Sequence, residues 1–125
     1  MDIQLDDSQP IYEQIIEHIK QMIVRGEIKP GDKLPSQREL AAEIKVNPNT
    51  VQHTYREMES QNLVETRRGR GTFIINDQRL ISQIKREMVR ETVQNFVQEM
   101  KSLGLTQEEI IVEVKKRLGG KSFKL

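Results

Sequence analysis

The sequence predicts a mainly α-helical chain carrying one small β-hairpin. Three observations carry this expectation. Apolar residues recur every three or four positions along most of the chain, in stretches punctuated by Gly and Pro. Two such stretches sit close together between Pro35 and Glu59, joined by the short turn Lys45-Val46-Asn47. Directly after them, two β-rich runs flank Arg67-Arg68-Gly69-Arg70-Gly71. Two short helices followed by a hairpin predict an N-terminal winged helix-turn-helix over residues 1–76. Residues 77–125 predict a short two-helix segment suited to dimerisation.

In chain order, Ile3 and Leu5 alternate with polar residues, which fits a short strand or an ordered arm. Gln9-Pro10 opens a first helix, with Pro at its first position. Ile11, Ile15, Ile16, Ile19, Met22 and Ile23 give that helix one apolar face, and Arg25-Gly26 closes it. Pro30-Gly31 marks a turn, and Lys33-Leu34 is held extended by the Pro35 that follows. Ser36 and Glu39 form a capping box for the second helix, whose apolar positions are Leu40, Ala41 and Ile44. Asn47 is a good N-cap and Pro48 suits the first turn, so a third helix starts there. It buries Val51, Tyr55 and Met58 and ends near Gln61-Asn62. In the hairpin, Leu63–Thr66 and Thr72–Ile75 are the strands, and Arg67–Gly71 is a loop whose glycines permit positive φ.

From Gln78 to Leu103 there is no Gly or Pro. Leu80, Ile81, Ile84, Met88, Val89, Val93, Phe96, Val97, Met100 and Leu103 make one long amphipathic helix. Gly104 breaks it. Thr106 and Glu109 form a second capping box, with Leu105 and Ile110 placed as a hydrophobic staple. Ile111, Val114 and Leu118 line the last helix, Gly119-Gly120 ends it, and Lys121–Leu125 is expected to fray. Two helices cannot bury this much apolar surface against each other. The winged helix can cover part of the stripe, and the economical solution is a second copy of the chain, with Ile81, Ile84, Met88, Val89, Val93, Phe96, Val97 and Met100 at the dimer interface. A stripe with Met88, Phe96 and Met100 could also line an effector pocket. Core or dimer packing is the more frequent cause, and no effector site is assigned.

Composition narrows the functional classes. The chain has 125 residues, enough for one domain or a small domain with an appendage. It has no cysteine, which excludes disulfides and thiolate metal sites. The acidic N-terminus argues against a signal peptide, and no stretch approaches the roughly 18 apolar residues of a membrane span. A cytoplasmic protein is expected. Net charge is only +1. Residues 1–76 hold ten Lys/Arg against twelve Asp/Glu, and residues 77–125 hold ten against seven. Overall charge therefore does not announce a nucleic-acid partner, and the case rests on where the cations stand. No Cys nucleophile, Ser/His/Asp constellation, metal motif or phosphate-cradling Gly loop is present, so no enzyme activity, cofactor or metal is expected.

A helix-turn-helix places its second helix in the DNA major groove. Asn49, Thr50, Gln52 and His53 lie at the start of that helix, where Asn and Gln can pair with adenine and Thr can meet phosphate or a thymine methyl. The competing reading is an ordinary polar face, which stays open for Gln52 and His53. His53 is no metal ligand by spacing, because His18 is the only other histidine. Arg38 could fork onto guanine or clamp a phosphate, or pair with a Glu one turn away. Arg56 could pair with Glu59 or reach phosphate. Arg67, Arg68 and Arg70 surround Gly69 as the densest positive cluster of the domain, suited to a minor groove or backbone. A solvated charged turn is the blander alternative.

Several blocks together resemble the GntR family of bacterial transcription regulators. They are Pro10-Ile-Tyr-Glu-Gln-Ile15, Gly31-Asp-Lys-Leu-Pro-Ser-Gln-Arg-Glu-Leu-Ala41, Val46-Asn-Pro-Asn-Thr-Val51 and Leu63-Val-Glu-Thr-Arg-Arg-Gly-Arg-Gly-Thr-Phe-Ile74. The short C-terminal part resembles the YtrA-like subfamily. The resemblance implies a homodimeric regulator that binds double-stranded DNA at a palindromic operator, and a repressor of an operon encoding an ABC transporter. It puts DNA contacts on Ser36, Arg38, Asn47, Asn49, Thr50, Gln52 and the wing residues Arg67, Arg68, Gly69 and Arg70. Many members carry Arg where this chain has Pro48 or Gln52, which implies different base preferences. The alternative class is a winged helix that docks proteins without specific DNA binding.

Overall fold

A computed structural model describes residues 1–119, so the expected fraying of Lys121–Leu125 and the Gly120 end signal lie outside the described residues. The elements are α1 (Ile11–Val24), α2 (Gln37–Ile44), α3 (Pro48–Ser60), β1 (Val64–Arg67), β2 (Gly71–Ile74), α4 (Gln78–Ser102) and α5 (Gln107–Arg117). The predicted class, mainly helical with one hairpin, is what the chain adopts. It divides into two compact units, Met1–Ile84 and Lys85–Leu125.

The first unit is built on a single core. Ile15, Ile19, Leu40, Val51, Met58 and Ile74 are fully buried, so α1, α2, α3 and β2 each contribute to one cluster. Pro10 is the N-cap of α1 rather than its first helical residue, which still uses its missing N–H harmlessly. The turn from α2 to α3 is tight because Lys45 takes a left-handed conformation (φ 58°, ψ 50°) and the Val46 N–H returns to the Ala41 carbonyl. Asn62 (φ 61°) ends α3 in the same way: the Leu63 N–H bonds to the Met58 carbonyl and the Asn62 N–H to that of Glu59.

The hairpin is antiparallel, with Val64 opposite Ile74 and Arg67 opposite Gly71. Arg67 and Gly71 therefore belong to the ladder, and the expected five-residue loop shrinks to Arg68-Gly69-Arg70. The Arg70 N–H donates to the Arg67 carbonyl at 2.9 Å, and Gly69 takes φ +76°. The segment before α2 is also more than an extended linker. Lys33 bridges Phe73, the Leu34 N–H donates to the Thr72 carbonyl, and the Ile74 N–H donates to the Asp32 carbonyl, both at 2.8 Å. Local sequence could not show this pairing, because the two segments are far apart in the chain.

The N-terminal residues form the ordered arm, not a strand. Ile3 and Leu5 pack against the core, and the buried amide of Gln14 holds the arm by donating to the Asp6 and Gln9 carbonyls and accepting from the Asp6 N–H. Asp77 caps α4 by accepting from the Arg79 and Leu80 N–H groups. The first turns of α4 belong to the first unit. Ile81 is buried in the winged-helix core and Ile84 packs against it. Ile81, expected at a dimer face, is thus covered by its own chain, whereas Ile84 is covered only in part.

In the second unit, α4 ends in the expected break at Gly104 (φ +87°), with the Leu105 N–H bonded to the Met100 carbonyl. Thr106 and Glu109 form the capping box of α5. Ile110 is buried, while Val89 and Val93 are more than half exposed. No helix among the described residues is long and apolar enough to cross a membrane.

Candidate nucleic-acid interface

The start of α2 is pinned before it can offer anything to a ligand. The Ser36 hydroxyl accepts from the Glu39 N–H, and the Glu39 carboxylate accepts from the Ser36 N–H, both at 3.1 Å. That backbone hydrogen bond, more than any other contact, holds the Glu39 carboxyl below its ordinary value; the Lys33 charge adds a smaller lowering. With Glu39 so engaged, Arg38 has no ion-pair partner among the described residues, and its alternative as half of a surface pair falls away.

The recognition helix α3 is held to the lead-in of α2 and to the wing. The Tyr55 hydroxyl donates to the Pro35 carbonyl at 2.6 Å, joining α3 to the lead-in of α2. Burial, and secondarily the Glu39 charge, pushes the Tyr55 phenol well above its ordinary value, so it stays a donor. Thr54 is fully buried and donates to the Thr50 carbonyl at 2.8 Å. Sequence reading missed Thr54, although its place one turn from Val51 and Met58 was a usable signal. On the wing side, the Thr66 hydroxyl donates to the Glu59 carboxylate. Glu59 is thereby engaged, and Arg56 has no ion-pair partner among the described residues.

At about 100° per residue, burial of Val51, Thr54, Tyr55 and Met58 turns Asn49, His53 and Arg56 to the opposite face of α3. Gln52 flanks that face and is exposed, whereas Thr50 is half-buried. Asn47 spends its side-chain oxygen on the Asn49 N–H at 2.8 Å as an N-cap. His53 is exposed, and its ring lies tilted by 42° against Tyr12 of α1 with centroids 4.1 Å apart.

The wing arginines also divide. The Arg67 guanidinium donates twice to Glu65, at 2.7 and 3.1 Å, and lies 4.5 Å from the Phe73 ring centroid. Arg68 and Arg70, on either side of Gly69, have no partner among the described residues. Alternation along β1 puts Glu65 and Arg67 on one face, where sequence order alone made the three arginines look equivalent. Among the described residues no group of His, Asp or Glu is placed to hold a metal ion.

Residues 11–74, which hold this helix-turn-helix and the hairpin, match a known family described as bacterial regulatory proteins, gntR family. The chain belongs to the GntR family. Over 115 residues it is 51% identical to the uncharacterized HTH-type transcriptional regulator YhcF of Bacillus subtilis (strain 168), covering 92% of this chain and 95% of that one. It is 43% identical over 111 residues to the HTH-type transcriptional repressor YtrA of the same organism, covering 86% and 85%. Among solved structures, a GntR family transcriptional regulator from Listeria monocytogenes superposes with a TM-score of 0.85 at 44% identity, over 90% of this chain and 98% of that one. Both B. subtilis relatives are matched over nearly their whole length, so this GntR chain is YtrA-like in its short C-terminal part as well as in its winged helix. GntR regulators bind DNA, and both B. subtilis relatives carry the names of transcriptional regulators.

Proposed function

We propose that this chain is a homodimeric repressor that binds a palindromic operator with one winged helix per half-site. The observation that carries the reading is the set of uncommitted guanidinium groups: Arg38 at the start of α2, Arg56 on the outer face of α3, and Arg68 and Arg70 at the hairpin tip. A domain of near-neutral charge that leaves four arginines unpaired at these places fits a polyanion held by few, well-placed contacts. Asn49 and Gln52 supply base-edge readout, Ser36 and Asn47 hold their helix starts, and the wing follows the backbone or minor groove. Residues 1–76 with the first turns of α4 form the DNA-binding part, and the rest dimerises.

Dimerisation is supported by Val89, Val93 and Phe96, spaced at helical intervals on α4 and respectively 55%, 53% and 39% exposed, with Met88, Val97 and Met100 half-buried beside them. A two-fold dimer covers such a stripe and presents two recognition helices to inverted half-sites. The likeness to the YtrA repressor supports repression, of an operon encoding an ABC transporter in this reading. The test is a gel shift with the promoter of the chain's own operon, followed by footprinting. A protected inverted repeat, with affinity falling steeply as salt rises, is the expected result. Failure to retain any duplex from a random pool would instead favour the protein-docking module.

A further inference from the structure

Lys33 was legible in the sequence only as part of an extended lead-in to α2. The structure gives it a particular place. Its backbone is fixed against β2 by the bridge to Phe73, flanked by the two 2.8 Å hydrogen bonds from Leu34 and Ile74. Its side chain runs along the hairpin toward the tip: a Cβ built on Gly71 would stand 2.8 Å from the Lys33 Cε and 3.5 Å from its Nζ. Gly71 is also at φ +119°, in the region that favours glycine. Lys33 is exposed, and its ammonium has no hydrogen-bond or ion-pair partner among the described residues. Glu65, the acid of the hairpin ladder, is occupied by Arg67, and Glu39, whose carboxyl feels the Lys33 charge, is held by the capping box.

We propose that Lys33 is a DNA-phosphate contact that links the start of α2 to the wing, and that Gly71 leaves the space through which its side chain reaches that position. The proposal rests on the DNA-binding reading above. It assigns a ligand chemistry that an ammonium serves well: a phosphate oxygen met by a mobile point charge, without base preference. Arg38 follows shortly after Lys33 in the chain, and Gly71, beside the Lys33 stem, directly follows Arg70, so Lys33 adjoins the wing while leading into α2.

The experiment uses the full chain and two duplexes of equal length, one selected by the wild-type chain from a random pool and one scrambled, titrated by fluorescence anisotropy across a salt series. Lys33→Met keeps the aliphatic stem and removes the charge; Lys33→Arg keeps the charge. Lys33→Met is expected to weaken binding to both duplexes by a similar factor and to reduce the slope of log affinity against log salt by about 0.9 per bound protomer. Lys33→Arg is expected to keep the wild-type slope, and both variants to unfold at the wild-type temperature. A wild-type slope and affinity in Lys33→Met would overturn the proposal, as would a loss confined to the selected duplex. A wild-type chain that enriches no duplex from the random pool would instead overturn the DNA-binding reading itself, a result visible before any variant is made.

Discussion

The Tyr55 hydroxyl on the recognition helix donates to the Pro35 carbonyl just ahead of α2, across twenty residues of chain and at 2.6 Å. This bond ties together the two places where DNA contacts are proposed, the start of α2 and the outer face of α3. Tyr55→Phe removes it while keeping the ring that fills the core. A net loss of about 1 kcal/mol is expected in urea unfolding. The pH dependence has a definite sign. The phenol is held above its ordinary value of 10.0 in the fold, so the folded state binds its proton more tightly than the unfolded chain does. Stability from this source is complete below that value and is lost as pH rises beyond it. Tyr55→Phe should flatten that alkaline decline.

The wing arginines should not behave alike. Arg67 is occupied by Glu65 and Phe73, whereas Arg68 and Arg70 are not. Arg68→Ala and Arg70→Ala are each expected to weaken operator binding by several-fold and to reduce its salt dependence. Arg67→Ala should change affinity less and perturb the hairpin more. Arg38→Ala belongs with the first group. Anisotropy titrations of the four variants at one salt concentration rank them directly, and equal losses at Arg67 and Arg68 would contradict the division.

Most of this fold was legible because its signals are local. Capping boxes at Ser36 and Thr106, the Asn47 cap and the apolar spacings of α1 and α3 each depend on residues a few positions apart, and all of them form. What was not legible depends on partners distant in the chain. Lys33 meets Phe73, His53 meets Tyr12, and Ile81 finds the winged-helix core rather than a second subunit. The pairing of Arg67 lay within reach, since Glu65 is two residues away on the same strand face, but the cluster of Arg67, Arg68 and Arg70 masked it.

Glu39 gives the capping box at the start of α2 a pH signature. Its carboxyl is held below the ordinary value of 4.5, first by the Ser36 N–H and then by the Ser36 side chain. The stabilisation is present above that value and is lost as pH falls through the lower, folded-state value. Glu39→Gln, which keeps an acceptor without the charge, should therefore lower the unfolding temperature somewhat in the neutral region and shallow the acid limb of the profile below about pH 4.5, so that variant and wild type converge in acid.

Lys45 turns the chain between α2 and α3 at φ 58°, a conformation that disfavours any residue with a Cβ by roughly 1 kcal/mol. It is exposed and has no ion-pair partner among the described residues. Lys45→Gly relieves the strain but also loosens the unfolded chain, which offsets part of the gain. The expected outcome is a stabilisation of roughly 0.5 kcal/mol, seen as a higher urea midpoint with an unchanged slope. A destabilised variant would show that the lysine stem packs on the turn.

The proposed dimer makes the sharpest demand on α4. Val93 is 53% exposed in the single chain, on the same stripe as Val89 and Phe96. If a partner covers it, each valine contributes about 1.5 kcal/mol, and two-fold symmetry counts it twice, about 3 kcal/mol in all. That corresponds to roughly a hundredfold in the dimer Kd, and a charge at the same place adds desolvation to the loss. Val93→Asp is therefore expected to sediment as a monomer at concentrations where the wild type is a dimer. Its winged helix keeps its core, because Ile81 and Ile84 are already seated there. The variant should consequently bind a single half-site as the wild type does and lose only the gain from the second half-site. A variant that stays dimeric would place the interface elsewhere, whereas one that loses half-site binding too would show that α4 supports the winged helix beyond Ile84.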